Sequence, residues 1–258
     1  MALPDAGPLV ERNGLELVPV PMRSDRDGKA IANRILLSLP EDEFNSVRPF
    51  LEFVELPRYK VLYDQGQKID SAYFLNDGMI SLVVIANDGR SVEVGICGRE
   101  GIVGVPLIFG IDDATTRAIV QLPGNGVRID AAALCANLPQ LPVFRRLLSR
   151  YVFTQQLQVA QTAACNRLHD MEQRLARWLL MCQDTVESGK LPLTHEFIAQ
   201  MLGTGRPTVT IAAGVLERAG LIANTRGSVT ILNRKRLEDV ACECYGAIQS
   251  FRGNLTLQ

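Results

Sequence analysis

The chain has 258 residues, 47% of them hydrophobic and 21% charged, with a formal net charge of −1. That size and composition suit one large or two ordinary domains with a real core and exclude a wholly disordered chain. The opening "MALPDAGPLVERNGLELVPVPM" has neither a basic start nor a long apolar run, and apolar runs elsewhere such as "LVVIA" are far too short to span a bilayer, so no membrane association and a cytoplasmic location are expected.

Residues 1–32 are rich in Pro, Gly and charge without period, which predicts a flexible N-terminal arm. A short helix is expected around "NRILLSLPEDEFNSVRPFL", with Ile35, Leu36, Leu39, Phe44, Val47 and Leu51 as its apolar positions. Then "EFVEL", "YKVLY", "AYFL", "MISLVVIA" and "SVEVGI" follow, short and β-branched or aromatic, separated by turn residues. "NDG" occurs at Asn76–Gly78 and at Asn87–Gly89, and Asp-Gly between apolar runs predicts a hairpin, because glycine accepts φ > 0 at little cost. Strands so short and so spaced predict an antiparallel sandwich or barrel, here within residues 33–138 and ending near Ile129.

After Pro142 the period is helical. The run to Asp184 is too long for one ordinary helix, so a long helix over 139–169 and a second from Asp170 are predicted. Phe144, Leu148, Tyr151, Gln155, Gln158 and Thr162 follow one another on the first at alternating spacings of three and four, continued by Cys165. That seam, polar in its middle, can pack on a second copy or on the chain's own β-domain. A second copy is the expectation, because polar seam positions can specify register.

Between Lys190 and Arg236 stand seven basic and two acidic side chains, about +5, which leaves about −6 for the rest. A locally basic module on an acidic body suits a phosphate-binding end, although a solvated basic surface has the same charge. In "LPLTHEFIAQMLGTGRPTVTIAAGVLERAGLI" the Thr194 hydroxyl is placed to cap a short helix whose apolar stripe is Phe197, Ile198, Met201 and Leu202. Gly203 suits a left-handed cap, and Pro207 opens a second helix where its missing N–H costs nothing. On that helix Val209, Ala212, Ala213 and Leu216 fall on one side, and Pro207, Thr210, Ile211, Gly214 and Arg218 on the other. An outward face of small side chains without an acid can lie close in a major groove, where Thr and Ile touch base edges or thymine methyls. A small helix buried in the protein is the alternative. "GLIANTRGSVTIL" then reads as a strand, a turn at Arg226–Gly227 and a strand, which makes the whole a winged helix-turn-helix over 170–245, followed by a tail over 246–258. The hairpin tip from Thr225 to Ser228 would reach the phosphate backbone.

With the order β-roll, long helix, winged helix on the page, the chain resembles the superfamily of transcription regulators that includes the cyclic-AMP receptor protein and the FNR oxygen regulator. The resemblance covers about residues 33–245 and is most specific in "RLARWLLMCQD" and the helix-turn-helix segment. It implies an α+β fold with an N-terminal cyclic-nucleotide-binding-like β-roll, a long dimerisation helix and a C-terminal DNA-binding winged helix. It implies a homodimer on near-palindromic double-stranded DNA, with RNA polymerase as a candidate partner. The family's cyclic-AMP binders hold the nucleotide with a Gly-Glu-Leu stretch and an Arg-Ser pair. Here Gly104 is followed by Val105 where Glu is expected, Thr115–Thr116 stand where Arg-Ser is expected, and Arg117 comes two places late. A regulator that does not use cyclic AMP is therefore expected, its small-molecule effector unknown.

The expected DNA contacts are Thr194, His195, Arg206, Pro207, Thr208, Thr210, Ile211, Gly214, Arg218, Arg226 and Ser228. The rival readings are a nucleotide-gated regulator and a small-molecule-binding β-roll whose helical tail only contacts other proteins. No Gly-rich phosphate loop, H-E-x-x-H or G-x-S-x-G is found, so no enzyme is expected. Among Cys97, Cys135, Cys165, Cys182, Cys242 and Cys244 no zinc-type spacing occurs, so neither metal nor cofactor is expected. His169 receives no role. Cys242 and Cys244 are read as structural residues of a C-terminal helix before oxidant sensors.

Overall fold

This computed structural model describes residues 9–10, 18–19 and 23–254. Most of the expected arm lies outside the described residues, as do residues 255–258. Strands β1 (Leu9–Val10) and β2 (Val18–Pro19) pair antiparallel. Residues 23–32 are docked and do not continue a flexible arm. Strands β3 (Arg23–Ser24) and β4 (Ala30–Ile31) pair around a turn in which Asp25 Oδ1 accepts the amides of Asp27 and Lys29 at 3.0 and 2.9 Å. The Arg23 guanidinium lies 4.5 Å from the centroid of the Phe44 ring, and Ile31 is buried. A cation held over an aromatic face and a side-chain-closed turn anchor the segment.

Helix α1 (Arg34–Leu37) is capped by Asn33, whose Oδ1 accepts from Ile35 N and Leu36 N. The same buried amide donates to Leu75 O and Gly101 O, so one side chain ties the cap to two loops of the roll. Helix α2 (Glu41–Val47) follows. The β-roll comprises β5 (Glu52–Leu56), β6 (Val61–Tyr63), β7 (Ser71–Leu75), β8 (Met79–Ile85), β9 (Ser91–Cys97), β10 (Arg117–Leu122) and β11 (Gly124–Asp130). Its sheets have the orders β6-β10-β8-β9 and β5-β11-β7, all pairs antiparallel. The second "NDG" closes the β8–β9 hairpin, with Ile85 opposite Ser91 and Gly89 at φ +84°. The first does not close a hairpin. Strands β7 and β8 belong to different sheets, and Gly78, at φ +79°, carries the chain across. A Cβ there would stand 2.8 Å from Leu122 O, so the crossing requires glycine twice over.

Helix α3 (Ala131–Asn137), capped by Asp130, leads to α4 (Pro142–Leu168) and α5 (Met171–Val186). The break falls at His169, which is extended, and Asp170 with Gln173 forms a capping box that restarts the helix. The seam of α4 faces its own chain. Phe144 and Leu148 are wholly buried in the roll's core with Leu36, Leu75 and Ile129. The Tyr151 ring lies on Gly101, where an added Cβ would meet it at 2.2 Å. Gln158 and Thr162 are buried further along. The expectation that this seam meets a second copy is therefore corrected for its large side chains: Phe144 and Leu148 are buried in the roll's core and Tyr151 packs on Gly101 of their own chain. The opposite side of α4 exposes Phe153 at 54% together with Ala160 and Ala163.

The C-terminal part contains β12 (Lys190–Leu191), α6 (His195–Met201), α7 (Arg206–Arg218), β13 (Ile222–Thr225), β14 (Ser228–Ile231), α8 (Arg234–Val240) and α9 (Cys244–Asn254), with the sheet order β12-β14-β13. The segment expected as a tail is largely α9: Tyr245 and Ile248 are buried, and the Tyr245 hydroxyl donates to Asp184 Oδ2 at 2.9 Å. A second core joins Trp178, Leu179, Phe197, Val209 and Leu216 to Met79, Val83, Ile96 and Leu122 of the roll. Strand β8 is thus covered on both faces, which is why "MISLVV" does not alternate.

Candidate nucleic-acid interface and ligand pocket

Helices α6 and α7 meet across the turn Leu202–Gly205. Gly203 takes φ +61°, and its missing Cβ would come 3.1 Å from the Val92 side chain, so turn and packing both select glycine. Thr194 caps α6 by accepting from Phe197 N at 3.2 Å. Helix α7 begins at Arg206 with Pro207 in its first turn. Val209, Ala212, Ala213 and Leu216 are buried as their spacing predicts. Arg206, Pro207, Thr208, Thr210, Ile211 and Arg218 are exposed, and Gly214 is half-buried. Ile211 is 66% exposed, an apolar side chain presented to solvent in the middle of the helix. Among the described residues Arg206, Arg218 and Arg226 make no ion pair. Arg234 is different: it pairs with Asp184 at 2.7 Å and Glu238 at 2.9 Å, so part of the basic count is internal.

Two expected contacts sit in other surroundings. His195 Nδ1 lies 3.1 Å from Thr210 Oγ1 and its Nε2 3.3 Å from Asn224 Oδ1, so the ring joins α6, α7 and β13. The Thr210 hydroxyl itself donates to Arg206 O at 3.0 Å. Ser228 is buried, its Oγ 2.6 Å from Thr225 Oγ1, and it closes the wing from inside where a reach to phosphate was expected. Arg226 is exposed at the tip beside Gly227, which takes φ +83°. Glu217, the acid near the end of α7, accepts Asn224 N at 2.7 Å, and this bond holds its carboxyl below the usual range.

The roll encloses a cavity of about 380 Å³ lined by Gly104, Val105, Thr115 and Thr116, by Tyr63, Leu82 and Ile102, and by Gln155 and Val159 of α4. Four of the five expected pocket residues are thus gathered. Arg117 is not among them. It points to the end of the neighbouring strand, where Nε and Nη2 donate to Asp64 at 3.0 and 2.6 Å. This pairing holds the Asp64 carboxyl below its usual range and raises the Arg117 guanidinium above its own. No charged side chain lines the cavity, and Gln155 Nε2 is buried there without a hydrogen-bond partner among the described residues. Gln155, expected on the seam, thus lines the pocket.

The helical head and the roll are joined by groups that spacing did not single out. Trp178 Nε1 donates to Glu93 Oε1 at 2.8 Å, and the Tyr59 and Phe197 rings stand 5.6 Å apart. Within the head, Arg174 Nη2 donates to Leu202 O at 2.6 Å. A lone Trp and a Glu in a strand carry no sequence signal of this pairing. The expectation of no metal-ligating set rested on spacing along the chain. In space Cys165, His169, Cys242 and Cys244 converge, their donor atoms within 4.8 Å of one another.

Residues 53–134 match the family model described as a cyclic nucleotide-binding domain, and residues 173–240 match that of a Crp-like helix-turn-helix domain. A CRP-like cAMP-activated global transcriptional regulator of Mycobacterium tuberculosis is 27% identical over 194 residues, 72% of this chain and 87% of its own. The transcriptional regulator SdrP of Thermus thermophilus is 29% identical over 186 residues, 67% of this chain and 84% of its own. Among solved structures, a transcriptional regulator of the CRP/FNR family, also from Thermus thermophilus, shares the fold with a TM-score of 0.61 at 22% identity, over 74% of this chain and 98% of that one. No helix among the described residues is long and apolar enough to cross a membrane.

Proposed function

The chain belongs to the Crp/Fnr superfamily of transcription regulators, and from that premise we propose that it binds a near-palindromic operator as a homodimer without cyclic AMP as effector. The observation that carries the DNA reading is the outward face of α7: unpaired Arg206 and Arg218 at its ends, and Thr208 and a 66% exposed Ile211 between them. An isoleucine so exposed costs solubility and gains nothing from its own chain, and a thymine methyl in a major groove suits it. Arg206 takes a base edge or phosphate at the groove, Arg218 and Arg226 take phosphates, and Thr194 sits at the backbone-crossing helix. His195 positions Thr210 and the wing, and Ser228 shapes the wing from within. In a dimer two copies of α7 stand about 34 Å apart in successive major grooves. Dimerisation uses the exposed face of α4 around Phe153, Ala160 and Ala163. RNA polymerase is the partner such a bound regulator would address, and the cytoplasm the place to do so.

The effector reading rests on the cavity. A cyclic phosphate carries a full negative charge, and burying it without a cation costs several kcal/mol. The cavity has none, and Arg117 is committed to Asp64. Threonine hydroxyls and the unpartnered Gln155 amide amid aliphatic walls suit a neutral, largely apolar ligand with a hydrogen-bond acceptor.

Selection of binding sites from random duplex DNA with purified protein tests the first reading. Arg206→Ala should lose about 1–3 kcal/mol on the selected site and relax its sequence, while Lys190→Ala should weaken selected and scrambled DNA alike and by less. Failure to enrich any sequence overturns the proposal. Calorimetric titration with cyclic AMP and cyclic GMP should show no binding in the low micromolar range, and such binding, abolished by Arg117→Ala, overturns the effector reading.

A further inference from the structure

At the junction of α4 and α5, four side chains from distant parts of the chain meet. Cys165 and His169 are one turn apart at the end of α4, and Cys242 and Cys244 flank Glu243 at the start of α9. We propose that this cluster is a tetrahedral site for one zinc-type divalent cation, ligated by the three thiolates and by His169 Nδ1.

The distances fit a single ion. Cys165 Sγ and Cys242 Sγ are 3.5 Å apart, and Cys244 Sγ and His169 Nδ1 are also 3.5 Å apart. Bonds of about 2.3 Å to sulfur and 2.0–2.1 Å to nitrogen, at tetrahedral angles, require S···S edges of about 3.8 Å and S···N edges of about 3.6 Å. Those two edges need to lengthen by only a few tenths of an ångström, and all four donor atoms lie within 4.8 Å of one another.

The surroundings have the form of an outer ligand shell. Glu243 Oε1 lies 3.0 Å from His169 Nε2, so the ring gives that nitrogen to the carboxylate and turns Nδ1 toward the sulfurs. Metal-bound histidines are oriented in this way. Gln161 Nε2 donates to Cys244 Sγ at 3.1 Å, a bond that strengthens when the sulfur is a thiolate. Three thiolates and a dication leave one negative charge. Arg177, 2% exposed, and Arg174 act electrostatically on the cluster, and the Nε of each is buried without a hydrogen-bond partner among the described residues. Two such guanidiniums suit a site that becomes anionic on loading. All six cysteines are free thiols, and an oxidised Cys165–Cys242 pair would leave His169, Glu243, Gln161 and Cys244 without a shared task.

The site gives α9 a reason to fold back on α4. Its four ligands bridge the break at His169, where the long helix gives way to the head that carries α7. A bound cation fixes the angle of that head to α4, and depletion frees it. The effect on DNA rests on the regulator reading above, whereas the site itself does not.

The test uses the full-length protein purified under reducing conditions, with metal content measured by mass spectrometry. Cobalt(II) is then exchanged in after chelation. One equivalent per chain, with thiolate-to-cobalt charge-transfer and tetrahedral d–d absorption, is expected. Cys242→Ser and His169→Ala should each weaken cobalt and zinc binding by at least about tenfold, and Glu243→Gln, on an exposed side chain, by about tenfold with the fold intact by circular dichroism. Cys135→Ser, at an exposed thiol elsewhere, should change nothing. Loss of the cobalt spectrum together with loss of operator affinity supports the whole argument, and loss of the spectrum alone supports the site and overturns its effect on DNA. A folded protein that takes up less than stoichiometric cobalt, or a spectrum unaltered by Cys242→Ser and Glu243→Gln, overturns the site.

Discussion

Glu93 is a carboxyl walled into the contact between the roll and the DNA-binding head. It stands in β9, its Oε1 takes the Trp178 N–H, and its Oε2 is buried without a hydrogen-bond partner among the described residues. Burial pushes its pKa up from 4.5 to about 7, against the partial pull of Ser81, Trp178 and the Arg177 guanidinium. Cys182, whose thiol burial raises well above its usual value, is a titratable neighbour. Because the folded value lies above the unfolded one, the folded chain holds more protons between pH 4.5 and 7. The resulting stability is fully present below pH 4.5 and is lost as pH rises through about 7. At 1.36 kcal/mol per pH unit the loss amounts to about 3 kcal/mol. Glu93→Gln keeps an acceptor for Trp178 and cannot ionise. The variant should therefore match the wild type near pH 5 and exceed it near pH 8, by about 6–12 °C in Tm at 2–4 °C per kcal/mol. Thermal unfolding followed by circular dichroism between pH 5 and 8 is the assay. Parallel curves for the two proteins across that range would refute the reasoning, since the titration would then belong to another group.

Gly214→Ala should stabilise the head by about 1 kcal/mol, because the added Cβ meets only the flexible end of Arg218 at 3.4 Å, yet it should weaken operator binding if α7 lies close in the groove. Urea denaturation and gel-shift titration of the same preparation separate the two effects. Phe153→Glu places a charge on the exposed face of α4 and should give a monomer in light scattering with secondary structure retained. Leu148→Glu should instead lose the folded roll, by several kcal/mol, since it buries a charge without a partner.

What the sequence by itself determined was local. Thr194 caps α6 and Gly203 turns left-handed because capping and φ > 0 act within four residues. The inward set Val209, Ala212, Ala213 and Leu216 follows from a period of 3.6, and the break at Asp170 from a capping box. The resemblance carried the pocket as far as Gly104, Val105, Thr115 and Thr116. Tertiary structure decided whatever depended on a distant partner. Residues 76–78 look like a hairpin turn, yet β7 and β8 part into separate sheets, because the outer face of β8 is claimed by α5 and turn chemistry does not know that. The α4 seam has the period of a dimer helix, but period fixes a face and not what covers it, and the roll covered it first. Arg117 sits two places past the position expected for the pair's arginine, and a carboxylate at the end of β6 took it. Cys165 and Cys242 are 77 residues apart with nothing in their spacing to join them, and only the return of α9 along α4 brings them to 3.5 Å.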